Sequence, residues 1–179
     1  MTELQQQISD ILQEDTEQLN EWFNSISKEI KTKAEQAGFD TSKLYYHGSP
    51  RNDIEEFKNS RSGRIGPFVY LSDAKGLAKI HKTANARSIT QELKAMFNGR
   101  VYKCFLKHGK LIRYKEMNKF LKQNESLLFR DDEYSLSRDT ILKRAASLLS
   151  DKGYVGTWLS DHGSKTVGAF NPEDVLIVG

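Results

Sequence analysis

The sequence predicts an α+β protein, because short apolar runs typical of strands lie at both ends of its main body and helical patterns lie between them. With 179 residues, 37% of them hydrophobic and 28% charged, the chain is long enough for one domain with a real core. We expect residues 1–40 to form a helical extension and residues 41–179 a single domain. No internal repeat interrupts this organisation.

The first segment has the pattern of one long or two consecutive amphipathic helices. Apolar side chains recur at helical spacing from Leu4 to Ile30, and polar ones fill the opposite face. Gly38 supplies the expected stop. Trp22 and Phe23 belong to the apolar face, so we expect them to dock on the body or on a partner.

Two apolar and aromatic runs of the same form open the body. The run from Leu44 to His47 stops at a His-Gly-Ser turn, and a second run extends from Gly66 to Asp73. Each predicts a buried strand whose end places a polar or aromatic side chain beside backbone amides. The loop between them, residues 59–66, is basic and carries two glycines.

The remaining elements alternate between helical and strand patterns. Asp73 is placed to cap a helix over residues 74–83, and a second helical stretch follows at 88–97. Later segments are predicted as strands at 100–107 and 110–114 joined by a tight turn, a helix at 139–150, and strands at 154–159, 165–170 and 175–178.

Composition narrows the classes of function. The net charge of +3 is too small to indicate nucleic-acid binding by itself. The four histidines are scattered, so we predict no metal site. The single cysteine, Cys104, alternates with apolar residues in a strand pattern and indicates a core position in a reducing compartment. The sequence shows neither a membrane span nor a signal peptide, so we expect a cytoplasmic location and no membrane partner.

Four motifs occur in a fixed order: Tyr46–Ser49, Gly66–Asp73, Gly153–Gly156 and Phe170–Pro172. Together they resemble the ADP-ribosyltransferase fold of the His-Tyr-Glu class, the class of diphtheria toxin and the poly(ADP-ribose) polymerases. The small transferase domains of polyvalent phage proteins are the most similar. The resemblance implies a split sheet, covers the chain from Leu44 to the C-terminus, and leaves the N-terminal helices without a counterpart.

The resemblance also implies NAD+ as a substrate and assigns five residues to its nicotinamide half. His47 would hold a hydroxyl of the nicotinamide ribose, and Gly48 would offer its backbone to the carboxamide. Ser49 would line the same pocket. Tyr70 would pack on the nicotinamide ring, and His81 falls where a second stacking aromatic is expected.

The pyrophosphate of NAD+ would pass the basic loop. Arg61 and Arg64 in that loop would contact its oxygens through charge-assisted hydrogen bonds.

The family's third motif is an acid, and the sequence departs from it. Counting back from the Phe-Asn-Pro segment puts that position at Thr166, or at Lys165 with a one-residue slip. A threonine hydroxyl can hold a ribose but supplies no negative charge beside a developing cation. Asp161 in the adjoining turn is a candidate substitute, and Glu133 is a more distant one.

The leading interpretation is a mono-ADP-ribosyltransferase that modifies a macromolecule, with protein as the first choice of acceptor and nucleic acid as the alternative. The resemblance suggests a phage as one source of such a protein. If phage-encoded, it would act in the host cytoplasm. The rival interpretation is a non-catalytic protein or inhibitor that keeps the fold and binds a host protein or nucleic acid. A third, an RNA 2′-phosphotransferase of related fold, lacks the expected paired arginines and histidines. The oligomeric state is not predicted.

Overall fold

The structure is a computed structural model, and its description covers part of the chain. Several residues named above fall outside the described part: Trp22, Phe23, Arg61, Arg64 and Glu133. Most of the helix predicted at 88–97 also falls outside it. The described residues are 26, 28–60, 65–83, 88, 90, 91, 96, 98–128, 136–161 and 163–179.

The described chain begins with helix α1, Lys28–Gln36. It ends where Gly38 adopts a left-handed conformation with φ of +85° and donates its N–H to the carbonyl of Glu35 at 2.9 Å. The predicted stop is therefore confirmed. Ala34 of this helix is buried with Phe39 and Phe105, which attaches α1 to the body.

In the described part of the chain, seven strands form one mixed sheet in the order β4-β5-β6-β2-β1-β3-β7. Neighbouring strands are antiparallel except for β4 and β5, which are parallel. The strands are β1 Phe39–Ser49, β2 Val69–Ser72, β3 Arg100–Lys107, β4 Lys110–Arg113, β5 Tyr154–Asp161, β6 Ser164–Ala169 and β7 Val175–Ile177. The further helices are α2 Lys75–Thr83, α3 Tyr114–Gln123, α4 Glu125–Leu128, α5 Arg138–Ser150 and the 3-10 turn Pro172–Asp174.

The sheet is split between β1 and β2. These two strands share a single registered pair, Tyr46 opposite Ser72, whereas β1 pairs with β3 through seven residues and β2 with β6 through four. The sheet therefore divides into a half made of β4, β5, β6 and β2 and a half made of β1, β3 and β7. The predicted α+β class with a split sheet is confirmed.

The sheet is also strongly curled. Only His108 and Gly109 separate β3 from β4, so the Cα atoms of Lys107 and Lys110 are at most about 11 Å apart. The two strands are five positions apart in the sheet order, which would be about 24 Å in a flat sheet. The two halves must therefore bend toward each other.

The main core lies on the face that both halves share. Cys104 is fully buried there, as predicted from its strand pattern, and the loop after β1 contributes Ile54 and Phe57. Buried members from both halves include Tyr45, Val69, Leu71, Tyr102, Leu106, Val155, Val167, Ala169 and Val175. A second cluster packs α3, α4 and α5 against the other face, around Phe68, Ile112, Met117, Leu128, Leu142, Ala145, Leu149 and Phe170.

Two local expectations need correction. Helix α2 begins at Lys75, and the carboxylate of Asp73 does not cap it; instead Asp73 Oδ1 accepts the backbone N–H of Lys165 at 2.7 Å. Strand β1 begins at Phe39 rather than Leu44. The register of β1 against β3 shifts between Asp40 and Tyr45, which interrupts the alternation of buried and exposed side chains. The sequence pattern therefore did not reveal this part of the strand.

Among the described residues, no helix combines the length and apolar character that a membrane crossing requires.

Candidate active site

His47 lies on β1 and reaches across the split to β2. Its Nδ1 is 2.7 Å from the carbonyl oxygen of Tyr70. A carbonyl only accepts hydrogen bonds, so Nδ1 carries the proton and, in the neutral ring, Nε2 presents a lone pair. The imidazole is half-buried. The split therefore holds a directional hydrogen-bond acceptor.

Two aromatic rings surround the imidazole. The ring centroid of Phe57 is 4.6 Å from that of His47, and the centroid of Tyr102 is 6.5 Å away. The contact of these two rings with His47 was not predicted from the sequence. No local pattern reveals it, because Phe57 reaches His47 only through the path of the loop between β1 and β2.

Gly48 lies directly under helix α2. A Cβ at this position would lie 1.8 Å from the carbonyl oxygen of Ala78 and 2.9 Å from the backbone nitrogen of Lys82. No real Cβ tolerates such a contact, so only glycine lets the helix pack here. The close backbone approach expected at Gly48 is thus made to a helix of the same chain, and its proposed contact with a carboxamide stays a prediction.

Ser49 shapes the turn that follows β1. Its side chain is buried, and its Oγ accepts the backbone N–H of Arg51 at 3.1 Å. In the structure this hydroxyl stabilises the turn. A role in lining a ligand pocket stays a prediction.

The side chain of Tyr70 lies on the face of β2 opposite the main core, and its hydroxyl forms hydrogen bonds with nearby backbone groups. Its Oη donates to the carbonyl of Gly66 at 2.8 Å and accepts the N–H of Ile65 at 3.0 Å. Burial raises the pKa of the phenol above its usual value. The hydroxyl thus binds the end of the basic loop at Ile65 and Gly66. The aromatic ring is the part of the side chain that could contact a ligand.

Thr166 is one of the two positions, with Lys165, at which the sequence pattern predicts the family's acid. It lies opposite Ser72 on β2, and Ser72 lies opposite Tyr46 on β1, so the three side chains share one face of the sheet. Thr166 is 4% exposed, and its Oγ1 makes no hydrogen bond with a described residue. Ser72 Oγ accepts the N–H of Ala74 at 3.1 Å. The position therefore offers an uncharged hydroxyl.

The other predicted site residues are only partly visible. His81 lies on α2 and Asp161 ends β5, where its backbone pairs with Ser164, but their side chains are outside the described part. Arg61, Arg64 and Glu133 lie outside it entirely, as stated above. Among the described residues no group of three or more side chains is placed to hold a metal ion.

The candidate residues lie on the three central strands β1, β2 and β6, but not on one face of the sheet. The imidazole of His47 packs against Phe57 and Tyr102 on the core face, whereas the ring of Tyr70 and the hydroxyl of Thr166 lie on the opposite face. At the split the imidazole contacts the backbone carbonyl of Tyr70. The split sheet and the order of these residues along it define the class of ADP-ribosyltransferase folds.

Comparison with known families makes this assignment specific. The family described as "ADP-Ribosyltransferase in polyvalent proteins" matches residues 40–176. The match spans most of the chain, and the chain therefore belongs to that family.

A curated protein is also similar. The chain is 26% identical over 140 residues to the CRISPR-associated endoribonuclease Cas13a of Leptotrichia wadei (strain F0279). The alignment covers 72% of this chain and only 12% of that much longer relative. No solved structure matches the chain significantly.

Proposed function

We propose that this chain is a mono-ADP-ribosyltransferase that binds NAD+ in the split between β1 and β2 and transfers ADP-ribose to a macromolecule, with a protein as the first choice. The bond between the nicotinamide nitrogen and ribose C1′ breaks, and nicotinamide leaves with the electron pair. An acceptor nucleophile then bonds to C1′ and loses its proton. The observation that carries the proposal is the 2.7 Å contact of His47 Nδ1 with the Tyr70 carbonyl, because it joins two expected site residues across the split.

The tautomer of His47 defines what this residue would do. In the neutral ring with the proton on Nδ1, Nε2 would accept a hydrogen bond from a ribose hydroxyl. The ring of Tyr70 would pack on the nicotinamide, with His81 on its other side. Gly48 and Ser49 would lie beside the carboxamide.

The diphosphate would lie along the loop before β2. Arg61 and Arg64 would neutralise its oxygens. Tyr70 Oη donates to the carbonyl of Gly66 and accepts the N–H of Ile65. These two hydrogen bonds support the arrangement, because they attach the end of the basic loop to the strand whose tyrosine ring would pack on the nicotinamide.

Thr166 makes the proposed transferase slow. Its hydroxyl would hold a ribose hydroxyl, but it places no negative charge beside the cation that forms as nicotinamide departs. Asp161 is the first candidate to supply that charge and Glu133 the second. Both proposals are tested by neutral substitutions, Asp161→Asn and Glu133→Gln, which should lower transfer only for the residue that provides the charge.

Calorimetry and mass spectrometry test the proposal together. We expect the native protein to bind NAD+, to release nicotinamide, and to add ADP-ribose to a component of a bacterial lysate. His47→Ala should abolish all three signals. His108→Ala is the matched control, because His108 is exposed in the connection between β3 and β4. The absence of NAD+ binding by the native protein would refute the proposal.

The second candidate is a non-catalytic protein of the same fold that binds a host protein or nucleic acid in the cytoplasm. The uncharged residue at Thr166 favours it. The name of the similar Cas13a protein, an endoribonuclease, makes RNA the nucleic acid to test first. Tight binding of a host protein or RNA together with no NAD+ binding would establish this candidate over the transferase.

A further inference from the structure

We infer that the end of the sheet formed by β4, β5 and β6 binds single-stranded nucleic acid, with a base stacked on the indole of Trp158 and phosphates held by Arg113 and Lys165. This surface specifies where the nucleic acid of the second candidate function would bind. It includes none of the residues proposed to hold NAD+, so the inference can stand or fail separately from the transferase.

Trp158 lies on β5 between the two neighbouring strands. In the strand registers it is opposite Arg113 of β4 on one side and Val167 of β6 on the other. Its side chain is half-buried and packs on the margin of the main core. This packing fixes the position of the indole while part of the ring stays accessible to solvent.

Two cations lie over this one indole ring. The guanidinium carbon Cζ of Arg113 is 5.0 Å from the ring centroid, and the ammonium Nζ of Lys165 is 4.4 Å from it. The two charges are therefore within about 10 Å of each other, close enough to repel at moderate ionic strength. Each is attracted by the indole, but the ring cannot neutralise either of them.

Two neighbouring carboxylates bind backbone groups instead of these cations. Glu116 Oε2 accepts the backbone N–H of Arg113 at 3.3 Å, and Asp73 Oδ1 accepts the backbone N–H of Lys165 at 2.7 Å. Within the described part of the chain, neither the guanidinium of Arg113 nor the ammonium of Lys165 forms an ion pair. The surface thus carries two positive charges that an anionic partner would neutralise.

An aromatic face beside two cations fits a nucleotide better than it fits other anions. A base stacks on an aromatic side chain through its flat face, while the neighbouring phosphates pair with cations. An acidic peptide offers carboxylates without the flat ring, and a duplex keeps its base faces covered by stacking. The side chain of Lys165 is long and flexible, so a base can replace its ammonium on the indole while the ammonium moves to an adjacent phosphate.

Fluorescence anisotropy with the full chain tests the inference. The probe is a labelled oligouridylate of about 12 nucleotides, which lies within the usual range of site sizes. The same probe annealed to oligoadenylate is the comparison, and we expect the single strand to bind at least about tenfold more tightly than this duplex. Arg113→Gln and Lys165→Gln should each lower the affinity about fivefold at about 0.1 M salt. Each should also reduce the slope of log affinity against log salt by about 0.7, the contribution of one phosphate contact.

The indole is tested by two substitutions of Trp158. Trp158→Leu removes the aromatic face and should lower the affinity about 10- to 100-fold, the effect of losing one stacked base. Trp158→Phe keeps a ring and should lose less. Because Arg113 is exposed, Arg113→Gln measures the surface even if a change at Trp158 disturbs the fold.

Lys33→Gln is the matched control for charge. It removes one positive charge from an exposed position on α1, which packs against β1 and β3 in the other half of the sheet. The affinity for the single strand and its salt dependence should therefore stay unchanged.

No binding of the single strand by the native protein would overturn the inference. Native affinity in Trp158→Leu, or in both Arg113→Gln and Lys165→Gln, would also overturn it. Equal affinity for the duplex, or equal displacement of the probe by polyglutamate, would do the same, because either result indicates a general site for polyanions. Calorimetry with NAD+ on the native protein separates the two proposals. If NAD+ does not bind while the single strand binds through Trp158 and Arg113, the transferase fails and this surface stands.

Discussion

Ser72 and Thr166 lie directly opposite each other on β2 and β6, and the Thr166 side chain is buried with no hydrogen-bond partner among the described residues. An unsatisfied buried hydroxyl is unfavourable, so its retention calls for a reason. In the proposed site the reason is a ligand hydroxyl that completes the hydrogen bonding of Thr166.

Thr166→Glu should convert this position into the acid of the family pattern. We expect nicotinamide release to rise about 100-fold, because a charge placed where the cation develops has effects of this size. Burying the carboxylate should lower the free energy of unfolding by about 2 kcal/mol. In Thr166→Gln the new side chain is nearly the same size as glutamate but carries no charge. This variant should lower the free energy of unfolding without raising the rate of nicotinamide release. Equal rates for the two variants would show that Thr166 is not at the acid position.

Gly48→Ala should strongly destabilise the protein. The new Cβ would lie 1.8 Å from the backbone oxygen of Ala78, so β1 and α2 would have to separate. We expect a loss of about 2–3 kcal/mol in urea unfolding. Gly163→Ala is the comparison, since a Cβ there meets nothing within 4 Å and only the φ of +81° is unfavourable, at about 1 kcal/mol. A smaller loss at Gly48 than at Gly163 would contradict the close packing.

Tyr70→Phe and Tyr70→Ala should separate the two parts of this side chain. Removing only the hydroxyl leaves the N–H of buried Ile65 without its hydrogen-bond acceptor. The free energy of unfolding should therefore fall by about 1–2 kcal/mol. NAD+ affinity measured by calorimetry should change less than about threefold, because the ring is kept. Tyr70→Ala should lose binding. Equal loss of affinity in both variants would show that the hydroxyl, rather than the ring, binds the ligand.

Tyr45 should make the protein sensitive to alkali. Burial, and then the charges of Asp40 and Asp73, raise the pKa of Tyr45 to about 12. In the unfolded chain the phenol ionises near its ordinary value of about 10. The folded state thus holds the proton more tightly, and the associated stability is complete below about pH 10 and is lost as the pH rises toward about 12.

Urea unfolding at several pH values between 8 and 11 measures this loss. Tyr45→Phe should lose less stability between these values than the native protein does. A native curve that does not fall above pH 10 would contradict the raised pKa.

Much of the local structure follows from sequence patterns. Helix α5 was predicted from apolar spacing within one residue of its start, and Ser137 caps it by accepting the N–H of Thr140 at 3.2 Å. Strands β3, β5 and β6 were also found within one or two residues of their ends. These elements repeat a short-range period, which the sequence displays directly.

The errors occur where partners are distant in the chain. Asp73 is a residue type that commonly caps helices. Its carboxylate instead accepts the backbone N–H of Lys165, which lies 92 positions later in the chain. The sequence predicted the tight connection between β3 and β4 but not their places in the sheet, where the two strands are five positions apart and do not pair. No local pattern carries this information.

The sequence by itself determined the α+β class, the order of the four motifs, the glycine stop of α1 and the lack of an acid at both Thr166 and Lys165, the two positions where the family pattern predicts one. These depend on residue identity and on spacings of two to four residues. Only the tertiary structure decided that β1 and β2 part after one registered pair, that His47 meets Tyr70 and Phe57 there, and that Gly48 lies under Ala78. Such contacts join segments 10 to 30 residues apart, and they are selected by the packing of the whole core rather than by any local preference.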